Sequence, residues 1–269
     1  MLRTVNELDG FAVEATDGPI GELVDFYFDD QFWAVRFLVV RTGQWLAGRK
    51  VLLSPVAIGP IGASAKVLHA AVTRAQVEAS PDIDTHKPVS RQHEVENYAY
   101  YGYPFYWAGA GMWGNSTLPA LMRAARGGDE SAGLTSGQQE FVETQAALHR
   151  QRGDDPHLRS CRAISGYHLH ASDGEIGHVE GFVIDDESWA IRYLIVNTSD
   201  WWLGHQVLIA RPWIADISWI DATVSIEMTR DAVKSAPRFD GKTLPDRAQE
   251  RALHAHYGRQ GDWGDWGDD

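Results

Sequence analysis

The sequence predicts a mainly β protein made of two small barrels in tandem, and three observations lead to this fold class. The stretch 3–107 recurs without a gap as the stretch 159–263, at a constant offset of 156 residues. Within each copy, short alternating or β-branched segments are separated by turn residues, which is typical of strands. Helical patterns are few and short. A small closed barrel, which hides its strand edges, therefore fits better than a parallel α/β sheet.

The repeat is carried by identical residues in one register, which indicates a single folding unit used twice. Matching positions include Asp17-Gly18 with Asp173-Gly174, Ile20-Gly21 with Ile176-Gly177, Trp33-Ala34 with Trp189-Ala190, and Arg36 with Arg192. A structural motif is expected at Gly18, Gly21, Arg36, Gly174, Gly177 and Arg192. Its glycines permit tight turns into a strand, and its arginines are expected to form a salt bridge at the barrel mouth.

Four segments follow from the repeat. They are a first six-stranded barrel with a C-terminal helix (1–107), a helical or irregular linker (108–158), a second such barrel with its helix (159–263) and an acidic flexible tail (264–269). Two equivalent copies in one chain mimic a homodimer, because a self-complementary surface on one copy can be satisfied by the other.

Each element has its own signal in the sequence. The strands expected in the first copy are 8–15, 22–28, 33–41, 49–53 and 66–72. The second of these alternates with a two-residue period and the third is rich in β-branched and aromatic residues, so the two predict a hairpin. The first is expected to pair across the Asp17-Gly18 turn, and Pro55 stops the fourth.

Capping signals predict short helices around these strands. Thr73 begins a Thr-x-x-Gln capping box, and its helix must end before Pro81. In the second copy Thr229 keeps the cap, but Ala232 replaces the glutamine. Further helices are expected at about 91–101, 118–126, 136–153 and 247–257. Glycine ends most of them.

Composition limits the classes of partner. The chain has 269 residues, a formal net charge of −13 and 44% hydrophobic residues, so it can bury two modest cores. Its acidity argues against nucleic acid as a partner, because phosphate binding depends on Lys and Arg. The single Cys161 excludes an intrachain disulfide and suits a reducing cytoplasm. The uncharged stretch 97–122 contains two prolines, which argues against insertion into a membrane.

Both copies carry one ordered set of motifs. It consists of Asp-Gly-x-Ile-Gly, Asp-Asp, Trp-Ala-[Val/Ile]-Arg-[Phe/Tyr]-Leu-[Val/Ile]-Val, Gly-x-x-Val-Leu and Thr-Arg before a proline, over about 8–81 and 164–237. This set resembles the PRC-barrel family, known from the cytoplasmic part of the photosynthetic reaction-centre H subunit and from a ribosome-maturation factor. The resemblance implies a six-stranded barrel used as a docking platform, with no catalytic residues to carry over. The chain departs from both relatives in its other segments, so neither specific role transfers.

Several residues could carry chemistry, and each has a structural explanation. The candidates are the Asp-Gly-x-Ile-Gly turn for a phosphate, Asp29-Asp30 and Asp185-Asp186 for acid–base work, Cys161 as a nucleophile, and His168, His170, His178, His254 and His256 as metal ligands. Paired aspartates in a hairpin turn more often cap backbone amides, and no cysteine joins the histidines. We therefore predict no catalytic, cofactor-binding or metal-binding residues.

Aromatic residues provide the strongest functional signal. The residues expected to form an interaction surface are Trp201, Trp202, Tyr103, Phe105, Tyr106, Trp107 and Trp113. The segment 98–113 contains Tyr, Phe, Trp and Gly with no charge among them. It either folds over the partner copy as a clasp or forms an exposed patch, for which Trp and Tyr are favoured anchors.

These observations favour a non-enzymatic protein–protein interaction or scaffold module of the bacterial cytoplasm. An unidentified protein partner is expected, and a homo-oligomer remains open. The main alternative is a small-ligand-binding protein or enzyme with a pocket at the junction of the barrels. A further alternative is a peripheral membrane or photosynthetic-complex assembly factor.

Overall fold

The computed structural model describes residues 1–62, 66–81, 83, 89–125, 156–198 and 205–259. Two compact units are present. The first comprises Met1–Ala163 and Val183–Ile191, and the second comprises Ile164–Phe182 and Arg192–Asp269. The segment Val183–Ile191 thus belongs to the second repeat in sequence and to the first unit in space. The helix expected at 136–153 and the acidic tail lie outside the described residues.

The described part of residues 1–164 alternates strands and helices. The elements are β1 (Leu2–Thr4), α1 (Val5–Leu8), β2 (Ala12–Ala15), β3 (Gly18–Asp29), β4 (Ala34–Thr42), β5 (Lys50–Leu53), β6 (Val67–His69), α2 (Arg74–Glu78), β7 (Val89–Ser90), α3 (Arg91–Tyr101), α4 (Pro119–Ala125), β8 (Pro156–Ser160) and α5 (Cys161–Ile164). The hairpin predicted from the alternating and β-branched segments is confirmed as β3 and β4. The helix predicted at 91–101 is confirmed as α3.

The sheet of the first repeat has the strand order β5-β4-β3-β2-β6, with β8 added to β3 and β7 added to β8. All of its pairs are antiparallel except β2 with β6. Every residue of β4 except Arg41 is buried. A strand covered on both faces needs a nearly continuous apolar run, which the sequence Ala-Val-Arg-Phe-Leu-Val-Val supplies.

The second repeat forms a similar sheet, to which β1 adds by pairing with residues 183–185. Its elements are β9 (His168–Ala171), β10 (Gly174–Asp185), β11 (Ile191–Asn197), β12 (Gln206–Ala210), β13 (Ile214–Ser218), β14 (Thr223–Ile226), α6 (Arg230–Lys234) and α7 (Arg247–His256). The strand order is β12-β11-β10-β9-β14-β13, with β9 and β14 parallel. The last three residues of β10 belong to the first unit. No helix in the described ranges is both long and apolar enough to cross a membrane.

The mainly β class is confirmed, but the prediction of two closed six-stranded barrels is wrong. Both sheets are mixed and open. In the described part of the chain, no ladder joins the terminal strands β12 and β13. A 3₁₀ turn at Arg211–Trp213 follows β12 directly and contains Pro212. Because proline cannot donate a ladder hydrogen bond, the ladder of β12 ends at this turn, and the chain re-enters the sheet as β13 at the opposite end of the strand order.

The first sheet remains open for a related reason. Pro55 begins a 3₁₀ turn, Pro55–Ala57, which ends β5 as predicted. The following segment 58–62 contains another proline and two glycines, and it forms only the single bridge between Ile58 and Ala70. Pro60 cannot donate a ladder hydrogen bond, so the segment does not continue as a regular strand.

The capping predictions agree with the structure. The hydroxyl of Thr73 accepts from the amide of Gln76, and the Gln76 side chain accepts from the amide of Thr73 at 2.8 Å. Thr229 caps α6 through the amide of Ala232 at 3.3 Å, without the reciprocal bond. A second capping box, formed by Asp246 and Gln249 at the start of α7, was not predicted.

Candidate interaction site

Two short strands in the first unit pair in a reciprocal way. β1 lies antiparallel to residues 183–185, and β8 lies antiparallel to residues 27–29. The paired residues are Leu2 with Asp185, Arg3 with Ile184, Thr4 with Val183, Leu158 with Asp29, Arg159 with Phe28, and Ser160 with Tyr27. Each residue pair of one ladder becomes a pair of the other when the repeat offset of 156 is added to its lower number and subtracted from its higher number. The opening strand of each repeat is therefore hydrogen-bonded to a strand of the other repeat.

The tip of the β3–β4 hairpin and the tip of the β10–β11 hairpin pair with each other in the same reciprocal way. The amide of Val35 donates to the carbonyl of Trp189 at 2.8 Å, and the amide of Ile191 donates to the carbonyl of Trp33 at 2.7 Å. Ala34 and Ala190, one offset apart, face each other in an isolated antiparallel bridge between these bonds. Both tryptophans have left-handed backbones, with φ of 55° and 60°. Self-complementary pairing of this kind is the pattern of an isologous interface.

Two ion pairs between side chains of the two repeats show the same reciprocal relation. Arg3 Nε lies 2.8 Å from Asp186 Oδ2, and Arg159 Nε lies 3.7 Å from Asp30 Oδ2. The side chains of Arg3 and Asp186 are only 5% and 7% exposed, so removing one partner leaves a nearly buried charge. Each opening strand therefore brings an arginine to the second aspartate of the facing Asp-Asp pair.

The first aspartate of each pair organises its turn. Asp29 Oδ1 accepts from the amides of Gln31 and Phe32 at 2.8 and 3.3 Å. Asp185 Oδ1 accepts from the amides of Glu187 and Ser188 at 3.0 and 2.8 Å. Both carboxylates cap backbone amides. This structural role is the alternative given above to acid–base chemistry at the paired aspartates.

Arg36 lies on β4 and is fully buried. One guanidinium nitrogen contacts Asp29 Oδ2 at 3.1 Å and another donates to the carbonyl of Met112 at 2.6 Å. The guanidinium carbon lies 3.7 Å from the ring centroid of Tyr106 and 4.7 Å from that of Trp113. A desolvated cation over an aromatic face gains about 2 kcal/mol. The counterpart Arg192 is half-buried.

The predicted aromatic surface lies in the interior where it is described. Tyr103, Phe105, Tyr106 and Trp113 are at most 8% exposed. The rings of Tyr103, Phe105 and Tyr106 surround Tyr98, which packs edge-on against Phe37 of β4 at 5.8 Å. Trp113 packs against Tyr106 at 6.2 Å. Trp107 is half-buried in the same cluster, 5.7 Å from the ring of Tyr98.

Two contacts explain why this segment is buried. The hydroxyl of Tyr106 donates to the carboxylate of Glu94 on α3, which is itself fully buried. The indole of Trp113 donates to the carbonyl of Ser188 at 2.8 Å, inside the first unit. The segment therefore packs on the paired hairpins rather than facing solvent. Trp201 and Trp202 lie outside the described residues.

The motif glycines occupy positions where a side chain does not fit. A Cβ on Gly21 would lie 2.0 Å from the carbonyl oxygen of Arg41, and one on Gly177 would lie 2.1 Å from that of Asn197. Gly18 and its counterpart Gly174 have φ of 141° and 133°, which L residues rarely adopt. These distances and angles give a backbone reason for the Asp-Gly-x-Ile-Gly turn.

The remaining chemical candidates are spread over the structure. Cys161 is buried, and burial raises the pKa of its thiol well above the usual value, with the nearby charge of Asp25 adding to the shift. His168 Nδ1 lies 2.6 Å from Glu175 Oε1 at the surface, while the ring of His254 packs against Trp213 at 4.9 Å. In the ranges that the structure describes, no three His, Cys, Asp or Glu side chains are grouped to hold a metal ion.

The hairpin of β13 and β14 exposes a large apolar side chain. Ile220, at its tip, is 96% exposed. The neighbouring Trp219 is half-exposed, and its ring lies 6.3 Å from that of Tyr167. Sequence reasoning missed this pair. The repeat comparison contained the signal, because the equivalent residues of the first copy are the small Ala63 and Ser64.

No protein-family model matches this chain. A search of curated proteins likewise finds no match. The functional argument therefore depends on the geometry of the chain itself and on the motifs quoted above.

Proposed function

We propose that this chain is a non-enzymatic protein–protein interaction or scaffold module of the bacterial cytoplasm. The observation that carries the proposal is the reciprocal exchange of opening strands and hairpin tips between the repeats. Each repeat recognises an extended segment and a hairpin by main-chain hydrogen bonds, which is how sheet-based binding modules capture protein partners. These contacts lie within one chain, and they support a fold that binds a protein partner through the same kind of main-chain pairing.

Two further observations support the proposal. The motif set resembles the PRC-barrel family, whose members serve as docking platforms, and we include that relationship in the proposal although the sheets are open. The buried side chains of Asp29, Arg36 and Tyr106 in the first unit are engaged in hydrogen bonding. The net charge of −13 supports a protein partner over nucleic acid.

Affinity capture with the full chain from its native host tests the proposal. We expect a protein that co-purifies at a fixed stoichiometry and whose direct binding is reproduced with purified components. A bait carrying Gly21→Ala, in which the first sheet is disturbed, identifies proteins that bind non-specifically to exposed apolar surface. A parallel substrate screen should give no turnover. Reproducible turnover together with no stoichiometric partner would overturn the proposal.

A further inference from the structure

The two repeats differ at the outermost strand of their sheets. In the second unit β13 is a regular strand that pairs with β14 on one side, and no described strand pairs with its other side. In the first unit the equivalent residues 58–62 form no strand. The carbonyls of Ile61 and Gly62 there accept from Arg3 Nη2 at 3.2 and 3.1 Å, and Pro60 supplies no amide hydrogen.

Edge strands invite pairing with other chains, and proteins usually block them with lysine, proline or a covering segment. The first copy has such a block, provided by Pro60 and Arg3. β13 contains no lysine, arginine or proline. An irregularity lies between Ile214 and Asp216, and it leaves Asp216–Ser218 in regular register. Three residue pairs also make up each of the two strand additions inside the first unit.

The turn that follows β13 is fixed by hydrogen bonds and carries apolar side chains. The hydroxyl of Ser218 donates to Asp221 Oδ2 at 2.7 Å, and the amide of Asp221 donates back to that hydroxyl at 3.2 Å. The carbonyl of Ala222 accepts from the amide of His168 on β9 at 2.9 Å. Ile220 is therefore held out in solvent by a fixed turn, beside Trp219. A preorganised apolar and aromatic anchor next to an unpaired edge is the arrangement of a strand-binding site.

The charges on this edge indicate the kind of occupant. Asp216 on β13 and Asp221 in the turn are both exposed. A second copy paired antiparallel and centred on Asp216 would place two carboxylates directly opposite each other, which is unfavourable. The net charge of −13 also opposes self-association. A partner with basic residues places no carboxylate opposite Asp216 and is not repelled by the acidic chain.

We infer that the outer edge of β13 binds an extended, basic segment of a partner protein, with an apolar side chain of that segment on Ile220 and Trp219. This inference rests on the proposed interaction function and adds the surface and the class of partner. The partner segment continues the sheet beyond β13, and a lysine or arginine lies opposite Asp216. Binding weakens as salt is added, because the charge pairing occurs at the surface.

Peptide binding to the full chain tests the inference. The probe is a fluorescein-labelled, end-capped heptapeptide of alternating lysine and valine, and the control probe replaces every lysine with glutamate. In fluorescence anisotropy we expect the basic probe to bind at least fivefold more tightly than the acidic one. Hydrogen exchange should slow at residues 216–218. Equal binding of the two probes, or no slowing at these residues, would overturn the inference.

Two variants and a matched control locate the binding surface. Ile220→Asp should weaken binding of the basic probe at least fivefold, and Asp216→Lys should reverse the preference between the probes. Leu121→Asp is the control, because Leu121 is an exposed apolar residue of the first unit, at 51%. Circular dichroism checks that each variant keeps its fold, and a variant that loses it is replaced by Ile220→Ser or Asp216→Asn. Equal weakening by Leu121→Asp contradicts the location.

The outcomes separate this inference from the proposed function. If a native partner is captured and still binds the Ile220→Asp and Asp216→Lys chains at full affinity, the interaction function survives and this surface is wrong. If sedimentation shows a concentration-dependent dimer that Ile220→Asp abolishes, the occupant is a second copy and the basic partner is wrong. If the basic probe binds as stated while the substrate screen shows turnover, the edge is a real binding site and the non-enzymatic function is wrong.

Discussion

Gly21 shows how closely neighbouring strands approach in these sheets. Gly21→Ala would place a methyl carbon 2.0 Å from the carbonyl oxygen of Arg41, so β3 and β4 must separate locally. We expect a loss of at least about 2 kcal/mol of stability, measured by chemical or thermal unfolding. Gly10→Ala is the control, because Gly10 has a φ of 79° but nothing within 4 Å of the added atom. It should cost only about 1 kcal/mol. Equal losses would contradict the steric argument.

Arg36 and Arg192 are equivalent in the repeat but differ in burial, so substituting each one tests how burial affects the loss of stability. Arg36→Ala leaves the buried Asp29 without its cation and removes the stacking partner of Tyr106, so we expect a loss of about 3–5 kcal/mol. Arg192→Ala, at a half-buried site, should cost under about 1 kcal/mol. Unfolding midpoints measure both. Adding Asp29→Asn to Arg36→Ala should recover part of the loss, and full additivity of the two substitutions would contradict the ion pair.

Asp240 provides a pH prediction in a loop of the second unit. Its Oδ1 accepts from the amides of Thr243 and Lys242 at 2.6 and 2.8 Å, and these bonds lower its pKa from 3.8 to about 2. A lowered pKa means that the folded loop favours the ionised form. Its contribution is therefore complete above the ordinary value and is lost as the pH falls through about 2. A carbon-detected NMR titration should find this midpoint, and a midpoint near 4 would contradict the hydrogen bonds.

Among the short elements, α6 offers a stabilising substitution. Its counterpart α2 has a complete capping box, whereas Ala232 leaves the amide of Thr229 without the reciprocal bond. Ala232→Gln should raise the free energy of unfolding by about 0.5 kcal/mol, since one more amide at the start of the helix is satisfied. Gln76→Ala should lower it by a similar amount. If Ala232→Gln has no effect while Gln76→Ala does, the two caps are not equivalent.

At the scale of the whole molecule, the two exchanged ladders should open together. Arg3→Ala removes the ion pair with Asp186 from one ladder, and the paired hairpin tips connect that ladder to the other. We expect hydrogen exchange to become faster in both β1 and β8 by a similar factor. Arg41→Ala removes only an exposed ion pair with Glu22 and should leave both rates unchanged. Faster exchange confined to β1 would show that the ladders are independent.

The repeat made the strands and caps predictable, because alternation, β-branching and capping boxes are local signals. Closure was not predictable, because it depends on whether the two outermost strands of a sheet pair with each other, and no local pattern encodes that pairing. The burial of 98–113 depends on Arg36 and Ser188, residues distant in sequence whose approach no local pattern encodes. Ile220 could have been found, since the second copy has a large apolar residue at a sequence position where the first copy has serine.

The exchanged strands also affect how the protein is made. The ribosome delivers the chain from its N-terminus, and domains generally fold as they emerge. The sheet of the first repeat lacks its added strand β8 until residue 160 has emerged, and its hairpin tip has no counterpart until residue 191 has emerged. The nascent first half therefore has an unpaired strand edge until these residues of the second half have been translated. Ribosome speed and chaperone access over that interval should influence the yield of native protein.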